Sequence, residues 1–313
     1  MKIVVTGVSG YIGGQIALQL RDAGHWVCGI DHCQPPKHLQ AVCSQFLSQC
    51  FYSDTALNWL VYQQPDAVIH CAGSSLVGPS VSQPRQYFEN NVTGSLKLIN
   101  TVCELTNCRL VFSSSAAAYG RPIMNPAQEV DPCEPISPYG LSKLMIEQIL
   151  HWYHQAYGLD YVAFRFFNAC GADPQARHGQ APGATHIMAR VLESLRDAVP
   201  FTLNGSDYDT ADGTCVRDYV HVADIAAAHI LALTEPVEPG VYNLGSSQGV
   251  SNLEIIAAAQ RITGRSLTVI QGAARPGDPA VLTASADKFN RHGAWQKYDL
   301  EHMIQHAWKW YVQ

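Results

Sequence analysis

Over the first 170 residues, short β-branched runs alternate with longer stretches whose apolar positions recur at helical spacing. Residues 2–6 (KIVVT) read as a strand that runs into glycines, and residues 11–23 follow as a helix. Residues 27–30 are a second strand, 37–47 a short helix, 50–52 a weak strand and 67–70 (AVIH) a clear one. Residues 84–105 predict one long helix and 110–113 a strand leading into a Ser/Ala run. Residues 137–157 predict another long helix and 161–166 an aromatic-rich strand. Strands alternating with helices in this way predict an α/β fold, a doubly wound parallel sheet of Rossmann type. After residue 170 the texture changes. Residues 172–184 are rich in Gly, Pro and polar side chains and read as a crossing between lobes. A helix over 185–198 and a turn-rich stretch at 204–214 come next. A strand near 241–244, a helix near 251–263, a strand near 267–270 and a helical C-terminus follow. The expected organisation is a sheet domain over 1–170 and a smaller α/β lobe over 171–313, with some elements crossing back.

Composition narrows the classes. Apolar residues make up 47% of the 313, enough for a sizeable core, and no run reaches the ~18 uninterrupted apolar residues of a membrane span. The start, MKIVVTGVSG, lacks the longer apolar region of a secretory signal, so a cytoplasmic protein is expected. A net charge of −6 disfavours nucleic acid and membrane surfaces as partners. None of the ten cysteines has CxxC spacing, so neither a disulfide framework nor a metal is expected.

Residues 6–13 read T-G-x-x-G-x-x-G between a strand and a helix. Gly7 allows the tight turn, Gly10 clears the approach of a pyrophosphate, and Gly13 lets helix and sheet pack closely. The helix N-terminus then offers free N–H groups to the phosphates. Asp31 ends the second strand, where a carboxylate accepts hydrogen bonds from a ribose diol and repels a 2′-phosphate. NAD is therefore favoured over NADP. Asp54, after the third strand, is placed for a base-edge contact. Further on, Ser137 and Pro138 suit a helix start, which puts Tyr139 and Lys143 on one helix face. An ammonium beside a phenol lowers the phenol pKa and makes Tyr139 a usable general base.

These motifs together resemble the extended, sugar-nucleotide-modifying branch of the short-chain dehydrogenase/reductase superfamily, and within it the UDP-glucose 4-epimerase family. The resemblance runs nearly end to end. It rests on TGVSGYIGG (6–14), VIHCAG (68–73), NNVTGSLKLI (90–99), VFSSSAAAYG (111–120) and SPYGLSKLMIEQIL (137–150). Further along it rests on RFFNACGADP (165–174), SDYDTADGTCVRDYVHVADIA (206–226) and YNLG (242–245). It implies a reaction in which Tyr139 takes the 4-hydroxyl proton of a UDP-hexose, Ser115 helps to shuttle it, and Lys143 tunes Tyr139 and binds the nicotinamide ribose. NAD would take and return a hydride at carbon 4. The resemblance also implies cofactor contacts from Tyr11, Ile12, His32, Thr55, Cys71, Ala72, Gly73, Asn90, Ser113 and Phe166. Asn168, Thr185, His186, Asn204, Arg217, Arg275 and Asp278 would face the sugar nucleotide, with the arginines on its diphosphate. A homodimer through the two long helices is expected.

The chain departs from the family pattern at several positions. Ser75 stands where many members carry a Lys that helps hold NAD, His32 replaces an Asn, Ala117 a Thr and Phe166 a Tyr. Asn204 sits where an aromatic flanks uracil. Leu282 occupies the region that gates the sugar 2-position, which leaves UDP-N-acetylhexosamine, UDP-pentose and UDP-uronic acid as alternative substrates. A dehydratase of the same branch needs a proton-transferring carboxyl pair just after the serine strand, and Ala116 and Ala117 cannot supply one. A catalytically silent NAD-binding regulator is the alternative from another class, and the intact Ser115, Tyr139 and Lys143 argue against it.

Overall fold

The computed structural model describes residues 1–122, 124–274 and 279–313. The first part of the chain runs β1 (Lys2–Thr6), α1 (Tyr11–Asp22), β2 (Trp26–Asp31), β3 (Gln45–Ser48), α2 (Asp54–Gln63), β4 (Ala67–His70), α3 (Val77–Ser82) and α4 (Pro84–Tyr87). A π-helical segment (Phe88–Gly94) leads into α5 (Ser95–Cys103), β5 (Arg109–Ser115), α6 (Pro138–Tyr157) and β6 (Tyr161–Phe166). The remainder runs β7 (Asn168–Cys170), α7 (Ile187–Asp197), β8 (Phe201–Asn204), β9 (Val216–His221), α8 (Val222–Thr234), β10 (Gly240–Leu244) and β11 (Gly249–Ser251). It ends with α9 (Asn252–Thr263), β12 (Val269–Gly272), β13 (Val281–Leu282), α10 (Asp287–Asn290) and α11 (Leu300–Tyr311).

Seven parallel strands form the main sheet in the order β10-β6-β5-β4-β1-β2-β3. Alternate side chains leave opposite faces of each strand. Ile3 and Val5 therefore join Ile16 and Leu20 of α1 and Ile225 and Ala228 of α8 in one core. Val4 joins Leu60 of α2, Leu98 of α5 and Ile146 and Leu150 of α6 in the core on the other face. Both faces are covered, as an all-parallel sheet requires. The order reverses between β1 and β4, and this crevice at the carboxyl ends of the strands receives the ligands of such sheets. A third core, built from α7, α9 and α11 with β8, makes the second lobe. Residue 170 is not a clean divide: α8 packs on α1, and β10 pairs with β6 as the last strand of the main sheet.

Several elements differ from the sequence pattern. Residues 37–47 hold only a 3-10 turn at Lys37–Leu39, directly after two prolines, and the third strand is Gln45–Ser48 in place of 50–52. This strand lies at the sheet edge and is half exposed, so its composition (QFLS) carries little strand signal. The single long helix expected over 84–105 is broken by the π-helical segment, a widened turn of a kind frequent at functional sites. Elements without a readable period include α2, α8 and β9. The mostly apolar α8 is sandwiched between the sheet and the rest of the chain, so it has no polar face to give a helical rhythm.

Candidate active site

The glycine-rich turn is set by close approach. Gly7 has φ +73°, and a Cβ there would lie 2.7 Å from the backbone nitrogen of Ala72. At Gly13 a Cβ would lie 2.2 Å from the Gly7 carbonyl oxygen. Gly10 is the N-cap of α1, and neither a capping side chain nor an acidic residue covers that first turn, where Tyr11 and Ile12 sit. The N–H groups of the turn thus remain available to an anion. Gly13→Ala is expected to destabilise the fold by about 1–3 kcal/mol, because the atoms a Cβ would meet, in Gly7 and Val8, are all backbone and cannot yield. Thermal denaturation beside the parent protein measures this.

Asp31 closes β2 beside this turn. Its buried carboxylate accepts from the Ser9 and Cys33 N–H groups, both at 3.0 Å, which fixes it at the mouth of the crevice. The exposed His32 ring lies 3.3 Å from it. Asp54 and Thr55 form the exposed first turn of α2, which Ser53 caps.

The candidate catalytic residues Ser115, Tyr139 and Lys143 assemble around the start of α6. The Ser137 hydroxyl accepts from the Gly140 N–H at 3.1 Å and Pro138 fills the first position, so Tyr139 stands in the first turn. A Cβ on Gly140 would lie 2.3 Å from the Ala117 carbonyl oxygen, and this tight approach brings Tyr139 against Ser115 at the end of β5. Burial pushes the Tyr139 phenol above its ordinary pKa, and the Ser115 hydroxyl beside it pulls it partly back. The lowering expected from Lys143 does not occur in the chain alone. The ammonium donates to the Ser113 carbonyl at 2.8 Å and stands 5.9 Å from the centre of the Tyr139 ring, while burial pulls its own pKa down to about 8. The Ser113 hydroxyl donates to Cys71 Sγ at 3.1 Å, so both ends of β4 and β5 converge here.

The structure also brings in residues that the motifs did not single out. Asn91, one step beyond Asn90, is buried in the π-helical segment. Its Oδ1 accepts from Ser74 N–H at 2.7 Å, and its Nδ2 donates to the Ser74 carbonyl at 2.9 Å and to Ser142 Oγ at 3.1 Å. Asn91 thereby ties the loop of Ala72 and Gly73 to α6 between Tyr139 and Lys143. Asn90 reaches only the Ser74 hydroxyl, at 3.1 Å, apart from a long contact with Asn91. The pair of asparagines was the readable signal, and the widened turn decides which one faces inward. Buried Tyr87 stacks edge-on to Tyr139 at 6.5 Å between centroids and donates to the Leu76 carbonyl at 2.6 Å.

On the second lobe's side, Phe166 ends β6 and is buried. Asn168 donates from Nδ2 to the Asp218 carbonyl of β9 at 2.8 Å, which orients its amide at the crevice rim. Arg217 lies on β9 in register with Leu282 of β13. Thr185 is exposed beside His186, which caps α7. His186 Nδ1 takes the Ala189 N–H, and its Nε2 is buried with no hydrogen-bond partner among the described residues. A buried ring N–H of this kind suits an acceptor on a ligand. Asn204 ends β8 in register with Gly272. Asp218 does structural work, taking N–H groups from Ser246, Ser247 and Ala284. Arg275 and Asp278 lie outside the described residues.

Comparison with known proteins agrees with this geometry. Residues 3–245 match the model of the NAD dependent epimerase/dehydratase family. The chain is 42% identical to UDP-glucose 4-epimerase of Halalkalibacterium halodurans over 322 residues, covering 100% of this chain and 96% of that protein. It superposes with a TM-score of 0.93 and 33% identity on the UDP-glucose-4-epimerase of Stenotrophomonas maltophila with bound NAD and formylated UDP-arabinopyranose, covering 99% and 97% of the two chains. For the UDP-glucose 4-epimerase of Brucella ovis in complex with NAD the TM-score is 0.91 at 36% identity, covering 98% and 97%. The family match and the similarity over nearly the full length of both chains show that the chain belongs to the NAD-dependent epimerase/dehydratase family, in its UDP-glucose 4-epimerase branch.

Proposed function

We propose that the chain is an NAD-dependent isomerase that interconverts UDP-glucose and UDP-galactose by inverting carbon 4. One observation carries this reading. Ser115, Tyr139 and Lys143 meet at the carboxyl edge of the sheet beside the glycine turn, with Ala116 and Ala117 where a dehydratase needs carboxyl groups.

The glycine turn and the bare N-terminus of α1 suit a pyrophosphate, because a side chain at Gly7 or Gly13 would fill the cradle. Asp31 suits the adenosine ribose and Lys143 the nicotinamide ribose. NAD, when bound, supplies a reversible hydride acceptor for carbon 4. Tyr139 takes the proton of the 4-hydroxyl and returns it to the same oxygen once the sugar has turned its other face to the cofactor, and Ser115 relays that proton. His186 and Arg217, with Arg275, bind the substrate diphosphate, and Asn168 orients the sugar. In this reading residues 1–170 hold the cofactor and 171–313 most of the sugar nucleotide.

The test is direct. UDP-galactose is incubated with the protein and NAD, and the product is resolved by NMR. UDP-glucose is the expected product with no net NADH, and a 4-keto product or no conversion would sink the proposal. Leu282, in register with Arg217, is smaller than the Tyr that glucose-restricted members of the family carry in this region, which supports a second substrate, UDP-N-acetylglucosamine. Turnover of that compound in the same assay is the expected result.

A homodimer completes the reading. Leu141, Trp152 and Tyr157 leave apolar surface exposed on α6 (39%, 69% and 69%), next to α5. Light scattering at micromolar concentration is expected to give twice the chain mass. No helix among the described residues is long and apolar enough to cross a membrane, and the ten free cysteines suit a reducing cytoplasm.

A further inference from the structure

The segment after β7 does more than connect the lobes: residues 171–180 double back across α1. Tyr11 Oη donates to the Gly171 carbonyl at 2.7 Å. Gln15 Nε2 reaches Asp173 at 3.3 Å, and Arg177 bridges Asp173 and Asp22 of α1 at 2.9 and 2.8 Å. At the end of this strap His178, 2% exposed, places Nε2 at 2.8 Å from the Tyr11 carbonyl and Nδ1 at 3.0 Å from His38 Nε2.

With His178 neutral, one arrangement of protons satisfies these bonds. A carbonyl only accepts, so His178 carries its hydrogen on Nε2, its Nδ1 accepts, and His38 Nε2 donates. Burial holds the His178 ring neutral, with its pKa pulled down to about 4. The ring lies against bare backbone, since a Cβ on Gly14 would be 2.7 Å from its Nε2. His38 belongs to the 3-10 turn of the loop that follows Asp31 and His32. One imidazole therefore ties the first turn of α1 and the loop after β2 to the strap that continues from Asn168.

We infer that His178 is a positioning residue for the dinucleotide: through Tyr11 and His38 it holds the phosphate-facing turn and the ribose-facing loop in register with each other. This rests on the assignment of NAD to that turn. It is distinct from the catalytic trio, because His178 meets the back of the cradle and makes its bonds to protein atoms.

The test uses cofactor-free protein and NAD binding followed by intrinsic fluorescence, with UDP binding measured in parallel. His178→Phe keeps an aromatic ring, slightly larger than imidazole, and removes both hydrogen bonds. It is expected to weaken NAD about tenfold, the size expected when a buried polar partner is left unmet, with UDP affinity changed less than twofold. His178→Gln retains a donor and an acceptor and is expected to recover most of the loss. His38→Phe, at the exposed end of the pair, is expected to weaken NAD about threefold, and it decides the matter if His178→Phe does not fold. NAD affinity unchanged in His178→Phe overturns the inference. So does an equal loss of NAD and UDP affinity without recovery in His178→Gln, which marks a purely structural role. If the parent protein itself binds no NAD, the cofactor assignment falls, and this inference with it.

Discussion

Tyr139→Phe is expected to lower kcat for UDP-galactose by about a thousandfold, the loss that follows removal of a general base, with NAD still bound and the fold intact. The substitution deletes one oxygen. The ring keeps its edge-on contact with Tyr87, and the N-cap from Ser137 is untouched. Ser115 remains beside the site, but a serine hydroxyl is too weak an acid and base to replace a phenol held near Lys143. The pH dependence follows from the groups themselves. Burial raises the Tyr139 pKa, so the phenolate grows as pH increases, and this rising limb vanishes in the variant. Burial also sets the Lys143 pKa at about 8 in the chain alone, so the ammonium is present below that pH and is lost above it. A positive nicotinamide ring would favour the phenolate further. The measurements are single-substrate kinetics across pH, with bound cofactor quantified after release. A variant within tenfold of the parent rate removes Tyr139 from its role.

The second large effect is on stability. Glu147 and Arg165 form an ion pair in which both side chains are almost fully enclosed, 3% and 5% exposed. The guanidinium reaches the carboxylate through Nη2 at 2.6 Å and Nε at 3.0 and 3.1 Å, and it lies 4.5 Å over the Tyr119 ring. Burial opposes the Arg165 charge, and the hydrogen bonds to Glu147 more than offset it, so the group stays ionised. Ser114 donates to the same carboxylate from the strand that carries Ser115. Glu147→Ala therefore leaves a buried cation with its main partner gone, and a cost of about 3–5 kcal/mol is expected. Differential scanning calorimetry should show a fall in Tm of several degrees, and Glu147→Ala with Arg165→Met should recover part of it. A single variant that melts with the parent would show that the pair contributes nothing. Epimerisation should fall as well, because α6 carries Glu147 together with Tyr139 and Lys143, and Ser114, which donates to Glu147, adjoins Ser115 on β5.

The sequence revealed those parts of the fold where one periodicity dominates. β1, β4 and β6 are mostly apolar strands, and α1 and α6 start at a glycine turn and at Ser137-Pro138. They were readable because burial on both sheet faces leaves little freedom in composition. Gln45–Ser48 was not, since an edge strand is specified by its neighbour β2 more than by its own side chains. Within the site, residue identities at fixed spacing pointed to Tyr139, Lys143 and Ser115. Their electrostatics were not legible, because the direction of the Lys143 ammonium depends on the Ser113 carbonyl, a backbone atom from another element. Asn91, Tyr87 and His178 were missed for the same reason. Each acts through a partner far along the chain or through a local widening of a helix.

The place of β10 has a consequence for how the protein is made. β6 leaves the ribosome well before residue 240, so for that interval the outer edge of β6 presents unpaired backbone groups between buried side chains such as Val162 and Phe164. An open, apolar strand edge is a template for pairing with another chain. α8 must also arrive before the outer side of α1 is covered. The nascent sheet is thus exposed to aggregation until nearly four-fifths of the chain has been synthesised. A product truncated at residue 170 would keep that edge open permanently, so the cofactor half is not expected to be obtained as an independent soluble domain.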